Sequence, residues 1–286
     1  MKIALLYFTG TYNTLFLTTL MKNRLMYLHH QVDVFLLTDN LKFSYKKYDR
    51  IGIGYPIHAF NAPKIVEKNL EKLKIEKSAY FIYKSSGEPF FMNNASSYKI
   101  YKIMKARQNV FFGEYHFVMP YNILFKTKEE FIGYEMQYNL KYIKYLCDHL
   151  MQEKTYKVSL LERFISFVFK IQRLGCKVNI KFYKVNKKKC IRCQKCIINC
   201  PTHNLRYHKN KKKIVFDNHC VMCMRCSFQC PTNAISIGLL NHSKVNGSYD
   251  FNQYLFVKSD YQFSTEKKWF YRKFKSYFDA IDSLSN

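Results

Sequence analysis

The chain has 286 residues, enough for two domains, and 48% of them are hydrophobic and 17% aromatic, which excludes a disordered low-complexity protein. The formal net charge is +27, and 38 of the 47 basic residues are lysine. Two explanations of this charge are open. One is a compositional bias towards lysine, and the other is an acidic partner or an anionic surface. No segment carries the signature of a nucleic-acid-binding module, so nucleic acid is not an expected partner.

Neither a secretory signal nor a membrane-spanning helix is expected from the sequence. The apolar stretch 3–8 is shorter than the hydrophobic region of a signal peptide, and a polar loop follows it directly. No run of about 18 apolar residues occurs. We therefore expect a cytoplasmic protein, in which thiols stay reduced and clustered cysteines indicate a metal site rather than a disulfide framework.

Short apolar runs alternate with helical patterns up to about residue 120. Strands are predicted at 2–8, 32–37, 50–54, 79–83 and 110–119, and helices at 17–28, 64–73 and 95–106. This alternation predicts an α/β fold with a doubly wound parallel sheet that carries helices on both faces. An amphipathic helix at 128–152 closes this first domain, which is placed at 1–155. A second helix, at 160–174, lies in a helical connector at 156–186.

Three lysines at 187–189 mark a boundary, and an internal repeat of 30 residues begins after them. Each copy reads C-x2-C-x2-C-x3-C-P. Three thiolates at this spacing can wrap one iron–sulfur cubane, while the fourth follows a short turn and ligates the cluster of the other copy. The predicted ligands are Cys190, Cys193, Cys196 and Cys230 for one 4Fe-4S cluster, and Cys220, Cys223, Cys226 and Cys200 for the second.

Structural zinc is the alternative explanation of paired cysteines, but zinc has no use for a third evenly spaced cysteine followed by Cys-Pro. At this point the segment resembles the bacterial two-cluster ferredoxin family over about 50 residues. The resemblance implies a small α+β ferredoxin-like domain, placed at 187–240, with two clusters close enough for electron hopping. Cys147 and Cys176 lie outside the motif, and each is expected to be a small buried hydrophobe.

A polar loop between the first strand and the first helix is a candidate phosphate site. Its residues are Thr9, Gly10, Thr11, Tyr12, Asn13 and Thr14, and none of them is basic. Backbone N–H groups at a helix start, together with hydroxyl and amide donors, suit a phosphate monoester. The loop matches neither a Walker motif nor a dinucleotide fingerprint, and a plain helix cap is the alternative.

Two further loops follow later strands, and all three loops lie where an open α/β sheet binds ligands. Here the chain resembles the flavodoxin family over about residues 1–150. The resemblance implies FMN, with its phosphate on loop 9–14 and its ring between the other two loops. The residues implied in those two loops are Tyr55, Pro56, His58, Ala59 and Phe60, and Ser85, Ser86, Gly87 and Glu88. A plain packing role is the alternative for the rings of Tyr55, His58 and Phe60.

Tyr12 departs from the flavodoxin pattern. Flavodoxin-like loops usually have glycine there, which permits an unusual backbone conformation and a close approach of the phosphate. Tyr12 therefore either shields the phosphate or weakens its binding. The two parts together resemble the EFR1-type family of fused flavodoxin–ferredoxin proteins of anaerobes, over about residues 1–240.

These features predict an internal electron relay, in which FMN and two 4Fe-4S clusters exchange electrons and pass them to or from a redox partner. No acid, base or nucleophile constellation is evident, so the sequence leaves open whether the chain is an enzyme or an electron-transfer component. The alternative is a flavin-free iron–sulfur protein that docks or senses, with an N-terminal domain that only binds partners. Tyr12 favours this alternative.

The surface features predict partners less directly. Lysine runs at 187–189 and 211–213 flank the cysteine motifs and predict docking of an acidic redox protein, with solvated turns as the alternative. The aromatic and basic tail at 241–286 is predicted to end in a helix at 266–283. Its aromatic residues either pack on the protein or lie on a membrane surface. The oligomeric state is not predicted.

Overall fold

The computed structural model describes residues 1–124, 126–210, 213–245, 249–255, 261–263 and 273–284. The N-terminal domain is built on the strands β1 (Lys2–Tyr7), β2 (Gln31–Leu36), β3 (Arg50–Pro56), β4 (Ala79–Ser86) and β5 (Val110–Val118). Neighbouring strands are parallel, and their order is β2-β1-β3-β4-β5. This is the order of a flavodoxin-like doubly wound sheet, so the predicted fold class is confirmed.

Helices cover both faces of the sheet: α1 (Asn13–Tyr27), α2 (Lys64–Leu73), α3 (Tyr98–Lys105) and α4 (Glu129–Asp148). Successive side chains of a strand point to opposite faces. Leu5 belongs to the core cluster that includes Leu17 of α1, and Leu6 belongs to the cluster that includes Ile65 of α2. The strands are thus buried on both sides, which accounts for their continuous apolar runs.

The connector holds two helices where the sequence pattern predicts one. The helices α5 (Leu160–Phe169) and α6 (Gln172–Asn179) occupy the predicted range 160–174 and extend beyond it. A capping box starts α5, because Ser159 and Glu162 each accept the other's backbone N–H with a side-chain oxygen. Neither glycine nor proline marks the break at residues 170–171, so the apolar pattern crosses it unchanged.

The C-terminal domain is small and nearly symmetric. The strand β6 (Lys184–Val185) pairs with β9 (Ile235–Ser236), and β7 (Leu205–His208) pairs with β8 (Lys213–Phe216), both antiparallel. The one-turn helices α7 (Lys195–Ile198) and α8 (Arg225–Phe228) each lie within one cysteine motif. These elements form the small α+β domain that the sequence predicts.

The segment after β9 returns to the N-terminal domain. The Leu124 N–H donates to the Ser243 carbonyl oxygen at 2.7 Å. The last helix, α9 (Lys275–Ser283), places Phe278 in a core cluster with Phe131 of α4. The described part of the tail is therefore packed on the sheet domain and is not an independent unit.

Some predictions fall on residues outside the described ranges. These are Lys211 and Lys212 of the second lysine run, and positions 266–272 of the predicted terminal helix with the aromatic residues Trp269, Phe270 and Tyr271. Within the described ranges, no helix combines the length and the apolar character needed to cross a membrane.

Candidate functional site

The two cysteine motifs fold alike. Gln194 and Met224 precede α7 and α8 with the same left-handed backbone, at φ 58° and ψ 5°. Arg192 and Met222, two positions earlier, are also left-handed, at φ 58° and 50°. Such residues between the cysteines turn successive N–H groups to one side, which forms the backbone nest found at many iron–sulfur sites. The 30-residue sequence repeat is therefore a repeat of site geometry.

The fourth cysteine of each motif accepts equivalent hydrogen bonds. The Asn204 N–H donates to Cys200 Sγ, and the Ala234 N–H donates to Cys230 Sγ, each at 3.2 Å. Burial acts to raise the pKa of Cys230, but hydrogen bonds from Ala234 and Thr232 outweigh it and hold this pKa below its ordinary value. A lower pKa favours the thiolate, which is the form that ligates metal.

The structure brings the fourth cysteine of each motif to the first three cysteines of the other. Burial raises the pKa of Cys196 to about 11, and the thiols that also raise it are those of Cys230, Cys190 and Cys193. The pKa of Cys226 is raised by burial and then by the thiols of Cys223, Cys220, Cys200 and Cys196. The thiols that influence each cysteine thus come mainly from its own predicted ligand set, and the influence of Cys196 on Cys226 indicates that the two sets lie near each other.

The thiol arrangement fits iron–sulfur cubanes. All eight motif cysteines are free of disulfide bonds. In the part of the chain that the structure describes, no group of three or more His, Cys, Asp or Glu side chains is arranged to hold a single metal ion. The ligands of a four-iron cluster stand wider apart, because iron and sulfide atoms lie between them. Each set also has the left-handed nest residues, whose N–H groups would be available to the sulfur atoms of a bound cluster.

A cavity of about 1180 Å³ lies between the two domains at the carboxyl edge of the sheet. One wall is formed by the three predicted FMN loops, through Thr9, Gly10, Thr11, Asn13, Thr14, Pro56, His58, Ala59, Ser85, Ser86 and Gly87. The facing wall is formed by the second cysteine motif, through Cys220, Val221, Met222, Cys223 and Met224. The candidate phosphate loop and the ligands of one predicted cluster therefore line the same cavity.

The two walls touch directly at Gly10. A Cβ atom on Gly10 would lie 2.0 Å from the Cys223 carbonyl oxygen, so only glycine fits there. Arg225, which is 5% exposed, adds a polar link between the walls. Its Nε donates to the Thr9 carbonyl oxygen at 3.1 Å, its Nη2 donates to the same oxygen, and its Nη1 donates to the Asn199 carbonyl oxygen at 3.2 Å.

The start of α1 fits a phosphate through its backbone. Tyr12 precedes the helix with φ 73°, its side chain caps no N–H group, and the first turn contains no acidic residue. The first N–H groups of the helix and its dipole therefore favour an anion. The Asn13 amide nitrogen already donates to the Pro120 carbonyl oxygen, and the Thr14 hydroxyl already bonds to the Ser85 hydroxyl, each at 3.0 Å.

The predicted residues that do not line the cavity are Tyr12, Tyr55, Phe60 and Glu88. Tyr55 is fully buried in the core of the sheet. The Phe60 ring packs edge-to-face on Phe169 of α5, with centroids 4.6 Å apart, and Glu88 accepts from the Tyr121 hydroxyl at 2.9 Å. Packing thus occupies the rings of Tyr55 and Phe60, and the FMN contacts of the other loop residues stay predictions.

Sequence reasoning missed the wall that α6 contributes. Cys176 and Asn179 line the cavity, and Cys176 is half-buried rather than buried. The Asn179 Nδ2 donates to the Ile237 carbonyl oxygen at 3.1 Å, and its Oδ1 accepts from the Leu239 N–H at 2.8 Å. These bonds join segments about 60 residues apart, a separation at which local periodicity carries no signal.

Replacement of single cysteines tests the exchange of ligands between the motifs. Cys230→Ser and Cys193→Ser should lose the same cluster, because both residues belong to the first set, and Cys223→Ser should lose the other. Each variant should keep about half of the iron and sulfide, and the first two should give the same remaining EPR signal after reduction. Cys147→Ala, at a buried core position, should keep both clusters. A Cys230→Ser spectrum that matches Cys223→Ser would contradict the exchange.

Arg225→Gln tests the link between the domains. The substitution removes two charged hydrogen bonds to Thr9 and leaves buried acceptors, so about 1.5–3 kcal/mol of stability should be lost. Thermal denaturation of the anaerobic holoprotein should then begin roughly 3–10 °C lower. The control is Lys195→Gln, because Lys195 occupies the matching position of the first motif and is exposed. Equal shifts for both variants would show that the Thr9 contact contributes nothing.

Residues 189–235 match the model of a family described as a 4Fe-4S dicluster domain, and this range contains all eight motif cysteines. No curated protein sequence is significantly similar to the chain. The predicted iron–sulfur identity of the segment is therefore confirmed, and its cofactors are two 4Fe-4S clusters.

Several solved structures are similar to the N-terminal half. A flavodoxin from Streptococcus pneumonia TIGR4 is 14% identical and covers 52% of this chain and 97% of its own, with a TM-score of 0.40. The general stress protein 14 of Treponema denticola, in complex with FMN, is 11% identical. The match covers 53% of this chain and 100% of that protein, with a TM-score of 0.40. Rubredoxin oxygen:oxidoreductase from Desulfovibrio gigas is 10% identical. The match covers 60% of this chain and 36% of that protein, with a TM-score of 0.36.

The strand order and the parallel pairing give the N-terminal domain its flavodoxin-like fold. The chain joins an N-terminal domain of flavodoxin-like fold to a C-terminal 4Fe-4S dicluster domain, and it has an electron-transfer role.

Proposed function

We propose that the chain relays electrons between FMN and its two 4Fe-4S clusters and exchanges them with an external redox protein. The observation that carries this proposal is the shared cavity, in which loop 9–14 faces residues 220–224 of the second cysteine motif. Electron transfer requires redox centres at short distance and no acid or base side chain. A phosphate loop and cluster ligands on facing walls of one cavity meet that requirement.

Three loops of the N-terminal domain would hold FMN. The uncapped first turn of α1 suits the phosphate. The segments 56–59 and 85–87 line the cavity on either side of the space proposed for the ring. Ala59 and Phe60 are consecutive left-handed residues, at φ 48° and 57°, and such a pair turns its N–H groups towards one side as polar contacts for a ring edge.

When bound, FMN stores two electrons, whereas each cluster carries one. The chain sets the environment of these centres. The buried guanidinium of Arg225 lies beside the second cluster set, where it acts to lower the pKa of Cys223 against the larger effect of burial. A fixed positive charge at this place stabilises the more negative, reduced cluster and so raises its reduction potential.

The burial of the cysteines indicates the order of the cofactors in the proposed relay. Both sets contain buried cysteines, with Cys196 of the first set 8% exposed and Cys223 and Cys200 of the second set 9% and 8% exposed, but the exposed ligand, Cys193, belongs to the first set. The matching residues Ile191 and Val221 differ in the same way, because Ile191 is 63% exposed and Val221 packs on the core of the sheet domain. We therefore place the second cluster next to FMN and the first cluster at the surface, as the contact with the external partner.

The proposed partner is an acidic redox protein that docks on what we name the basic face around the first cluster. The residues of this face are Lys187, Lys188, Lys189, Arg192 and Lys195, and all of them are exposed. A cleft of about 460 Å³ beside Cys190 is lined by further lysines: Lys181, Lys184 and Lys213. Complementary charge at such a face accelerates association and fixes its orientation.

The relay requires all three cofactors in one chain. Anaerobically purified protein should contain roughly eight iron, eight sulfide and one FMN per chain, measured by chemical assay and by the absorption spectrum. Zinc in place of iron would contradict the cluster assignment. Absence of flavin after reconstitution would leave a flavin-free iron–sulfur protein that docks or senses as the function.

Gly10→Ala in the same protein tests the shared cavity. A Cβ at Gly10 would meet the Cys223 carbonyl oxygen at 2.0 Å, so the loop must move away from the second motif. Transfer from photoreduced flavin to the clusters should slow, as followed by transient absorption. The control is Gly175→Ala, where the Cβ meets nothing within 4 Å. Equal transfer rates in the two variants would refute the proposed path.

The basic face can be tested with an acidic ferredoxin as the probe partner. The rate of electron transfer to it should fall as ionic strength rises, and Arg192→Glu/Lys195→Glu should lower it about tenfold or more at low salt. Lys46→Glu/Lys47→Glu makes the same change in net charge on a turn before β3, at the amino edge of the sheet, and should have little effect. A rate that is flat with ionic strength would exclude this docking face.

A further inference from the structure

The helix α5 exposes its apolar side to solvent and packs its polar side on the protein. Its apolar residues Leu160, Leu161, Phe164 and Phe167 are 79%, 60%, 63% and 67% exposed, and its buried residue is Ser166. Ile171, directly after the helix, is 67% exposed and Val168 is 39% exposed. We name these six residues the outer face of α5. A contiguous apolar surface of this kind marks a binding site, whereas single exposed apolar residues do not.

Polar contacts hold α5 in this orientation. The Asn61 amide nitrogen donates to the Ser166 carbonyl oxygen at 3.0 Å, and the Ser166 hydroxyl donates to the Asn61 side-chain oxygen at 2.8 Å. The Glu162 carboxylate caps the helix and accepts from the Asn94 amide at 2.7 Å. These bonds fix the polar side of α5 on the sheet domain, so the apolar side faces outward as a property of the fold.

The stretch of sequence that follows Glu162 of α5 carries charge of one sign. Residues 163–216 contain sixteen lysines and arginines and no aspartate or glutamate. Glu162, the acidic residue of α5, is held by Ser159 and Asn94 on the protein side. Lys170 and Lys177 follow along the chain and also line the interdomain cavity. Val178 and Phe182 are further exposed apolar residues after α5. Apolar side chains flanked by cations, with carboxylates absent from residues 163–216, complement an anionic surface.

We propose that the outer face of α5 binds the surface of an anionic phospholipid bilayer, with α5 lying in the plane of the interface. The leucine and phenylalanine side chains enter the boundary between headgroups and acyl chains, while Lys170 and Lys177 contact anionic headgroups. Binding would place the interdomain cavity, whose wall α6 helps to form, next to the membrane.

The residue types favour lipid over a protein partner. Protein interfaces are enriched in tyrosine, tryptophan and arginine, and leucine and valine are under-represented among their strongest contacts. The chain has 24 tyrosines, yet none lies between residues 157 and 182. A second copy of the chain is disfavoured, because each copy carries a formal charge of +27 and the same basic surroundings would face each other.

The test is co-sedimentation of the anaerobic holoprotein with vesicles. Phosphatidylcholine vesicles that contain phosphatidylserine should retain the protein, vesicles of phosphatidylcholine alone should retain much less, and high salt should release it. Phe164→Ser/Phe167→Ser should weaken binding to the anionic vesicles about tenfold or more. The control is Met26→Ser/Tyr27→Ser, which removes two exposed side chains at the end of α1 and should bind as the parent protein does.

Both double variants change surface side chains only. Unchanged cluster absorption and circular dichroism would show that they are folded. Equal binding of the parent protein and the α5 variant would assign membrane contact to another segment, such as the tail, and overturn the proposal. Absence of vesicle binding, with dimers in sedimentation equilibrium that the α5 variant abolishes, would overturn it in favour of a second copy. Absence of both, with complex formation only with an acidic protein, would overturn it in favour of a protein partner.

Discussion

The structure depends on one backbone contact, between the loop after β1 and the second cysteine motif. Gly10 brings its Cα against the Cys223 carbonyl oxygen, and the buried Arg225 guanidinium donates to the Thr9 carbonyl oxygen. Because no side chain stands between them, loop 9–14 and the second cysteine motif approach as closely as two backbones allow. The cavity between the domains, the burial of Cys223 and the proposed path of electrons all follow from this contact.

The same contact makes two equivalent cluster sites different. The motifs share their spacing, their left-handed residues and the hydrogen bonds to their fourth cysteines. Arg225 is nevertheless buried while its counterpart Lys195 is exposed, and Val221 packs on the sheet domain while Ile191 faces solvent. Burial and nearby charge tune cluster potential, so identical ligand sets acquire different properties. In the proposed relay, the second site therefore lies on the flavin side and the first exchanges electrons with the partner.

Local patterns predicted the parts of the molecule that local physics determines. The alternation of strands and helices indicated the parallel sheet. The spacing of apolar residues differs between strands and helices, and a few residues suffice to tell the two apart. The break between α5 and α6 escaped prediction, because the apolar pattern continues through residues 170–171. The exposure of the apolar side of α5 was not predicted either, for a different reason. Periodicity shows that a helix has an apolar face, but the side that meets the protein is chosen by distant partners such as Asn61 and Asn94.

The amino-acid sequence by itself determined the nature of the iron–sulfur centres, the class of the first domain and the edge of the sheet at which the three candidate loops lie. It could do so because thiolate spacing and chain periodicity are set over short stretches of chain. Only the tertiary structure decided that the second motif faces loop 9–14, that Tyr55 and Phe60 pack away from the cavity, and that α6 forms one of its walls. Those features depend on contacts such as the one between Arg225 and Thr9, 216 residues apart, which no local pattern encodes.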